Sequence, residues 1–181
     1  YEAELLVPAH GLPIKGTERI NRVLGDLAHV LEALVSETLE LMNDGYQLND
    51  IVHMVKVDPS KLALPWLQPL YDEPEFVVRN IWRMYGGWWD ADPASLKPSP
   101  RVELAKELSL LAGGARQLAH RARSLAEEGD LRLSCHLIEF AALAEPDSKE
   151  VHGIRAEIYQ IRRSQESSLM SKGIFAAAMR E

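Results

Sequence analysis

Histidines are the side chains in this sequence best suited to hold a metal, and the six of them are His10, His29, His53, His120, His136 and His152. No two stand in a His-x-His or His-x-x-x-His spacing. Zinc needs three or four N, S or O donors in fixed geometry, and neither paired histidines nor a Cys-x-x-Cys supplies them locally. His29, His53, His120, His136 and His152 fall in helical patterns and read as ordinary surface or core residues. His10 differs by position: it directly follows an apolar stretch, where the chain leaves a strand into a Gly-Leu-Pro turn, and sheet-based enzymes place ligands at such points. It is the candidate metal ligand, as a neutral imidazole, and any partner ligands must come from outside this sequence.

Other chemistry is sparse. Ser36, Ser60, Ser109 and Ser134 lie in helical or turn patterns without a Gly-x-Ser-x-Gly elbow, and no glycines form a phosphate loop. Cys135 sits beside Leu133 and Leu137 in a helical pattern and reads as a small buried hydrophobe. The pair Glu127-Glu128 reads as a solvated helix end. Arg79 and Arg83 stand four apart on one helix face, a spacing suited to an anionic group such as sulfate, with salt bridges to Glu75 or Asp90 as the plainer alternative.

The elements that must position these residues are mostly helices. Residues 2 to 9 read as a strand remnant that cannot bury its apolar face alone, followed by a Gly- and Pro-rich turn over residues 10 to 16. Thr17 is the expected N-cap of a long helix whose stripe is Leu27, Val30, Leu31, Leu34, Thr38, Leu41 and Met42, ending at Asn43, Asp44 and Gly45. A short helix is expected over 47 to 57. Pro59, Pro65, Pro69 and Pro74 then make 58 to 74 an irregular but packed connector, since Leu62, Leu64, Trp66, Leu67 and Leu70 lie within it. Residues 75 to 85 read as a helix stopped by Gly86-Gly87, and an aromatic turn follows.

From Arg101 the breaks are regular. Helices are expected to Ala112, to Glu128 after Gly113-Gly114, to Ala144 after Gly129-Asp130, and from about Ser148 to Arg163, with a last one over about 164 to 179. Alanines at 112, 115, 119, 122, 126, 141 and 142 permit close helix packing, and the Gly-Asp turn resembles a tetratricopeptide hairpin, although about one and a half units are too few for a solenoid. The expected fold is all-α: antiparallel helical hairpins, tetratricopeptide-like in the C-terminal half, packed on a long N-terminal helix with a short strand remnant before it.

Composition sets outer limits. Hydrophobic residues make up 46% of 181 and charged residues 26%, enough for a sizeable core. A formal net charge of -7 without a basic stripe argues against nucleic acid as a partner. Apolar runs are all too short for a membrane span, so the sequence reads as that of a soluble protein. The single Cys135 leaves the compartment open. The sequence begins with Tyr1, without a basic and apolar leader, and reads as starting inside a longer protein.

Residues 82 to 100, Trp-Arg-Met-Tyr-Gly-Gly-Trp-Trp-Asp-Ala-Asp-Pro-Ala-Ser-Leu-Lys-Pro-Ser-Pro, resemble the signature of the alkyl sulfatase dimerisation domain. That family carries a Tyr-x-Gly-Trp-aromatic-Asp-Gly-Asn-Pro-Ala-x-Leu run, then helices with Gly-Gly and Gly-Asp breaks. Here Tyr85, Gly87, Trp88, Asp90, Pro93 and Leu96 match it, while Ala91-Asp92 replaces the Gly-Asn. Upstream, Pro-Ala-His-Gly-Leu-Pro-Ile-Lys-Gly is similar to the segment bearing the last metal-ligand histidine of the family's metallo-β-lactamase-like domain. The resemblance implies a parent enzyme with a two-metal zinc site that hydrolyses alkyl sulfate esters, with this chain, not itself catalytic, as the helical module clasping a second subunit as a homodimer.

On that reading residues 1–16 end the catalytic domain, whose N-terminal remainder is the other partner, and residues 17–181 form the dimerisation domain. His10 matches a metal-ligand position. Tyr85, Trp88, Trp89 and Asp90, with Arg79 and Arg83, border the substrate pocket. Two alternatives remain beside it: a zinc hydrolase of the same superfamily acting on a non-sulfate ester, and a non-catalytic tetratricopeptide-like interaction module.

Overall fold

The computed structural model describes residues 2–180; Tyr1 and Glu181, the outermost residues of the two expected domains, lie outside the described residues. The chain folds as two compact units, one running to Asp92 and the other beginning at Pro93. Both are built mainly of helices, and the sheet has two strands. Among the described residues no helix is long and apolar enough to cross a membrane.

In the first unit, β1 (Leu5–Leu6) and β2 (Ile14–Lys15) pair antiparallel, Leu5 opposite Lys15 and Leu6 opposite Ile14. The strand expected over residues 2 to 9 is therefore shorter, and it finds a partner just past the Gly-Leu-Pro turn. Two residues per strand cannot cover their own apolar neighbours, and Leu5, Val7 and Leu12 stay exposed.

The 27-residue helix α1 (Thr17–Asn43) has the expected length but not the expected cap. Gly16 holds the N-cap position with no side-chain hydrogen bond, and Thr17 is the first helical residue. The chain leaves β2 at Lys15 and must turn at once; Gly16 does so at a φ of 100°, which leaves Thr17 one residue late to cap. The buried face also differs in part. Ile20, Val23, Leu34 and Thr38 are buried, whereas Leu27 and Leu31 are exposed. These two border a shallow apolar groove with Trp66, Leu67 and Pro74, because the proline-broken connector lies beside α1 without sealing it. Trp66 anchors that connector by donating from Nε1 to Asp26 Oδ2 at 3.1 Å.

Helices α2 (Leu48–Met54), α3 (Pro59–Leu62) and α4 (Pro74–Gly86) complete the unit. Pro74 starts α4 where a missing N–H costs nothing. Val78, Ile81 and Trp82, at steps of three and one, form the buried face of α4 and pack with Leu34, Ile51, Val52 and Val55 into one core. The helical partners of α1 are thus α2 and α4.

The second unit comprises a single-turn α5 (Pro93–Leu96), not foreseen from the sequence, then α6 (Arg101–Leu111), α7 (Ala115–Glu127), α8 (Leu131–Ala144), α9 (Lys149–Gln165) and α10 (Leu169–Ala178). α10 starts later than expected because α9 runs on to Gln165 and Ser168 then caps the new helix, its side chain accepting from the Ser171 N–H. The alanines work as anticipated. Ala115, Ala119, Ala122, Ala126, Ala141 and Ala142 are all buried, and α7 and α8 approach closely enough for Ser134 Oγ to donate to the Ala122 carbonyl at 2.7 Å. Ala112 is the exception: it is the C-cap of α6 and is exposed.

The α7–α8 turn shows how three residues reverse a helix. Gly129 N–H donates to the Ala126 carbonyl at 3.1 Å and Asp130 N–H to the Leu125 carbonyl at 2.8 Å, which terminates α7. The Asp130 carboxylate then accepts from the Leu133 N–H at 3.1 Å and opens α8. Gly129 holds a φ of 91°, and an added Cβ would meet nothing within 4 Å. The substitution Gly129→Ala therefore costs only the left-handed backbone, about 1–2 kcal/mol, and urea unfolding is the measurement. A loss below a few tenths would mean that the turn relaxes to another conformation.

Candidate functional site at an aromatic turn

The residues after α4 form a turn fixed by hydrogen bonds from several sides. Trp82 is buried, and its Nε1 donates to the Trp89 carbonyl at 2.9 Å, so the core of the unit holds the turn from below. Trp89 Nε1 donates to the Asp92 carbonyl at 2.9 Å, and the Asp92 N–H donates to Asp90 Oδ1 at 3.1 Å. The Asp90 carbonyl accepts from the Leu48 N–H at 3.1 Å, which ties the turn to the start of α2. Four hydrogen bonds on one short segment leave it little freedom.

Ala91 completes the turn with a φ of 69°, the sole positive value at a non-glycine position among the described residues. This is where the family pattern has Gly. A residue without Cβ adopts that conformation at no steric cost, which accounts for the family's choice; here Ala91 is held there by its neighbours and packs against the core.

What this scaffold displays is apolar. Met84 is 77% exposed, Tyr85 59% and Trp88 78%, whereas Trp89 is 37% exposed and committed to its hydrogen bond. Arg79 and Arg83 stand exposed on the outer side of α4. The structure therefore brings Tyr85, Trp88, Trp89, Asp90, Arg79 and Arg83 into one contiguous segment of helix end and turn. Trp82, the clamp beneath them, is the residue that spacing alone did not single out; its place on the Val78–Ile81 face was the available signal.

His10 lies elsewhere, exposed in the loop between β1 and β2. Among the described residues no three His, Cys, Asp or Glu side chains gather around a point where a metal would sit. One imidazole cannot fix zinc, so the donors described here do not fit a site held by this chain alone.

The second unit has its own polar cluster. A cleft of about 380 Å³ is lined by Cys135, His136, Glu139, Arg155, Tyr159 and Phe175. Arg155 Nε donates to Glu139 Oε1 at 2.8 Å and its Nη1 to the Ala178 carbonyl. Burial pushes the Cys135 thiol up to about 11, and burial with the nearby Glu139 carboxylate pushes the Tyr159 phenol up as well. A thiol so protonated is a poor nucleophile at neutral pH, in keeping with a packing role.

A family model described as alkyl sulfatase dimerisation matches residues 47–181. The chain belongs to the alkyl sulfatase dimerisation family. It is 29% identical over 161 residues to a linear primary-alkylsulfatase of Pseudomonas sp., covering 88% of this chain and 30% of that protein. It is 28% identical over 180 residues to an alkyl/aryl-sulfatase of Saccharomyces cerevisiae, covering 98% and 28%. The solved structure of a stereoselective inverting sec-alkylsulfatase from Pseudomonas sp. superposes with a TM-score of 0.88 at 26% identity, covering 97% of this chain and 28% of that one. This alkyl sulfatase dimerisation chain thus spans under a third of the length of the relatives it matches.

Proposed function

We propose that this chain is the dimerisation module of a longer zinc-dependent sulfuric-ester hydrolase. In this reading residues 1–16 close a metallo-β-lactamase-like catalytic domain, residues 17–181 form the helical dimerisation domain, and the longer protein is a homodimer. The observation that carries it is the family match over residues 47–181 together with a likeness, across 97% of the chain, to part of a sec-alkylsulfatase. The exposed Leu5, Val7 and Leu12 support it too, since an apolar hairpin of this size suits the edge of a larger sheet.

His10 is then one imidazole of a two-metal zinc site whose remaining ligands belong to the rest of the longer protein. Tyr85, Trp88 and Trp89 form an aromatic border of the substrate pocket, suited to an alkyl chain, with Asp90 beside them holding the turn and Arg79 and Arg83 as the cationic groups suited to a sulfate. Full-length protein assayed in parallel against a primary or secondary alkyl sulfate and a carboxylic ester tests this. Turnover of the sulfate is expected, and turnover of the ester alone would transfer the chain to a hydrolase with another substrate. Absence of a His-x-His-x-Asp-His motif from the full-length protein would favour a tetratricopeptide-like interaction module instead.

A further inference from the structure

The cleft of the second unit has the makings of a small-molecule site, and the hydrolase role does not use it. Its volume of about 380 Å³ lies within the span of ligand pockets, about 300–1,000 Å³. Phe140, Ile174 and Phe175 give it apolar, largely aromatic walls, and Arg101 and His136 are exposed polar groups along it.

The charges in the lining are unequally committed. Among the described residues that line the cleft the one carboxylate is Glu139, and it accepts from Arg155 Nε at 2.8 Å. Arg155 also donates to the Ala178 carbonyl and lies 5.4 Å from the centre of the Tyr159 ring, which stacks on Phe175 at 5.7 Å. These contacts hold the buried side of the cleft in shape before a ligand arrives, which lowers the cost of binding. Arg101 differs: among the described residues no hydrogen bond or ion pair engages its guanidinium group. It is the first residue of α6, whose N-terminus has no side-chain cap, so the helix dipole adds to its positive field.

We propose that this cleft binds a small aromatic monoanion of the arylcarboxylate class, its carboxylate paired with Arg101 and its ring held among Phe140, Ile174 and Phe175. A guanidinium meets a carboxylate through two parallel N–H···O bonds, which fixes the orientation of the ligand. A ring among aromatic side chains gains contact area and edge-to-face attraction with few rotors to freeze, whereas an alkyl chain of the same size loses more entropy on entering. A cation would face the Arg101 charge. Binding of this kind is independent of whether the longer protein hydrolyses sulfate esters.

Amide chemical shifts of the isotope-labelled 181-residue chain, titrated with cinnamate at neutral pH, test this. Shifts are expected at Arg101, Phe140, Ile174 and Phe175, with a Kd of about 1 mM, as suits a ligand of so few atoms. Arg101→Ala, an exposed change whose folding is checked by circular dichroism, is expected to weaken binding about tenfold, and Arg101→Lys, which keeps the charge but not the fork, by less. The neutral isostere cinnamamide is expected to bind about tenfold more weakly than cinnamate, and octanoate also more weakly. Absence of shifts at these four residues in about 10 mM cinnamate would overturn the site. Unchanged affinity in Arg101→Ala, or equal affinity for cinnamamide, would overturn the pairing with Arg101, and octanoate binding as tightly as cinnamate would overturn the aromatic class of ligand.

Discussion

Replacing Trp82 by Ala is expected to lower the stability of the first unit by about 3–5 kcal/mol, the range for removing a large buried aromatic side chain. The indole is 7% exposed and packs with Leu34, Ile51, Val52, Val55, Val78 and Ile81, so its loss opens a hole where α1, α2 and α4 meet. It also leaves the Trp89 carbonyl without its donor and frees the turn that displays Trp88. Trp82→Phe keeps one six-membered ring in the core but loses the rest of the indole with its N–H, so it should cost less than Trp82→Ala, about 1–3 kcal/mol for the smaller hole and the carbonyl left without its donor.

Tryptophan fluorescence is the appropriate probe. All four tryptophans, Trp66, Trp82, Trp88 and Trp89, lie in the unit that ends at Asp92, so urea titration by fluorescence follows that unit selectively. A loss under 1 kcal/mol for Trp82→Ala would show that the turn is held by other contacts.

The helical plan was legible in the sequence because its punctuation is local. Gly113-Gly114, Gly129-Asp130 and Pro146 each end a helix through backbone rules that need no distant partner, and these breaks fall where the sequence puts them. Long-range contacts were not legible in the same way. Leu27 and Leu31 satisfy the periodicity of α1 as well as Leu34 does, yet they are exposed, since periodicity cannot tell that the connector covers one part of the stripe and not another. Thr17 has the chemistry of an N-cap but stands one residue inside the helix, because β2 fixes where the chain turns.

The aromatic turn was legible as a motif but not as a mechanism. Tyr85, Trp88 and Asp90 carried the resemblance. The residue that organises them is Trp82, through a bond to a carbonyl seven positions on, and side-chain spacing does not encode such a bond. The positive φ of Ala91 was hidden likewise, although the family's Gly there was a hint of it.

The substitution Arg155→Met is expected to destabilise the second unit by about 3 kcal/mol, the lower end of the cost of removing one partner from a buried ion pair. The lower end applies because the Glu139 side chain is 26% exposed and water will reach it in part, whereas the Arg155 side chain is only 10% exposed. Three elements meet on this guanidinium. It donates to Glu139 of α8 and to the Ala178 carbonyl at the end of α10, and it lies 5.4 Å from the centre of the Tyr159 ring on its own helix. The Tyr159 ring in turn stacks on Phe175 of α10 at 5.7 Å, and Arg162 covers the Phe175 ring. Met replaces the aliphatic stem but none of the donors, so the effect reports the polar contacts rather than lost packing.

The second change Glu139→Leu decides between two causes. If the cost is an uncompensated carboxylate, the double variant recovers most of the stability, as replacement of a buried pair by apolar residues generally does. If the cost is instead the release of α10 from the Ala178 carbonyl bond, the double variant stays destabilised and amide exchange accelerates over Leu169–Ala178 in both variants. Recovery with α10 still protected is the expected result, because the stacked Tyr159–Phe175 pair remains to hold that helix.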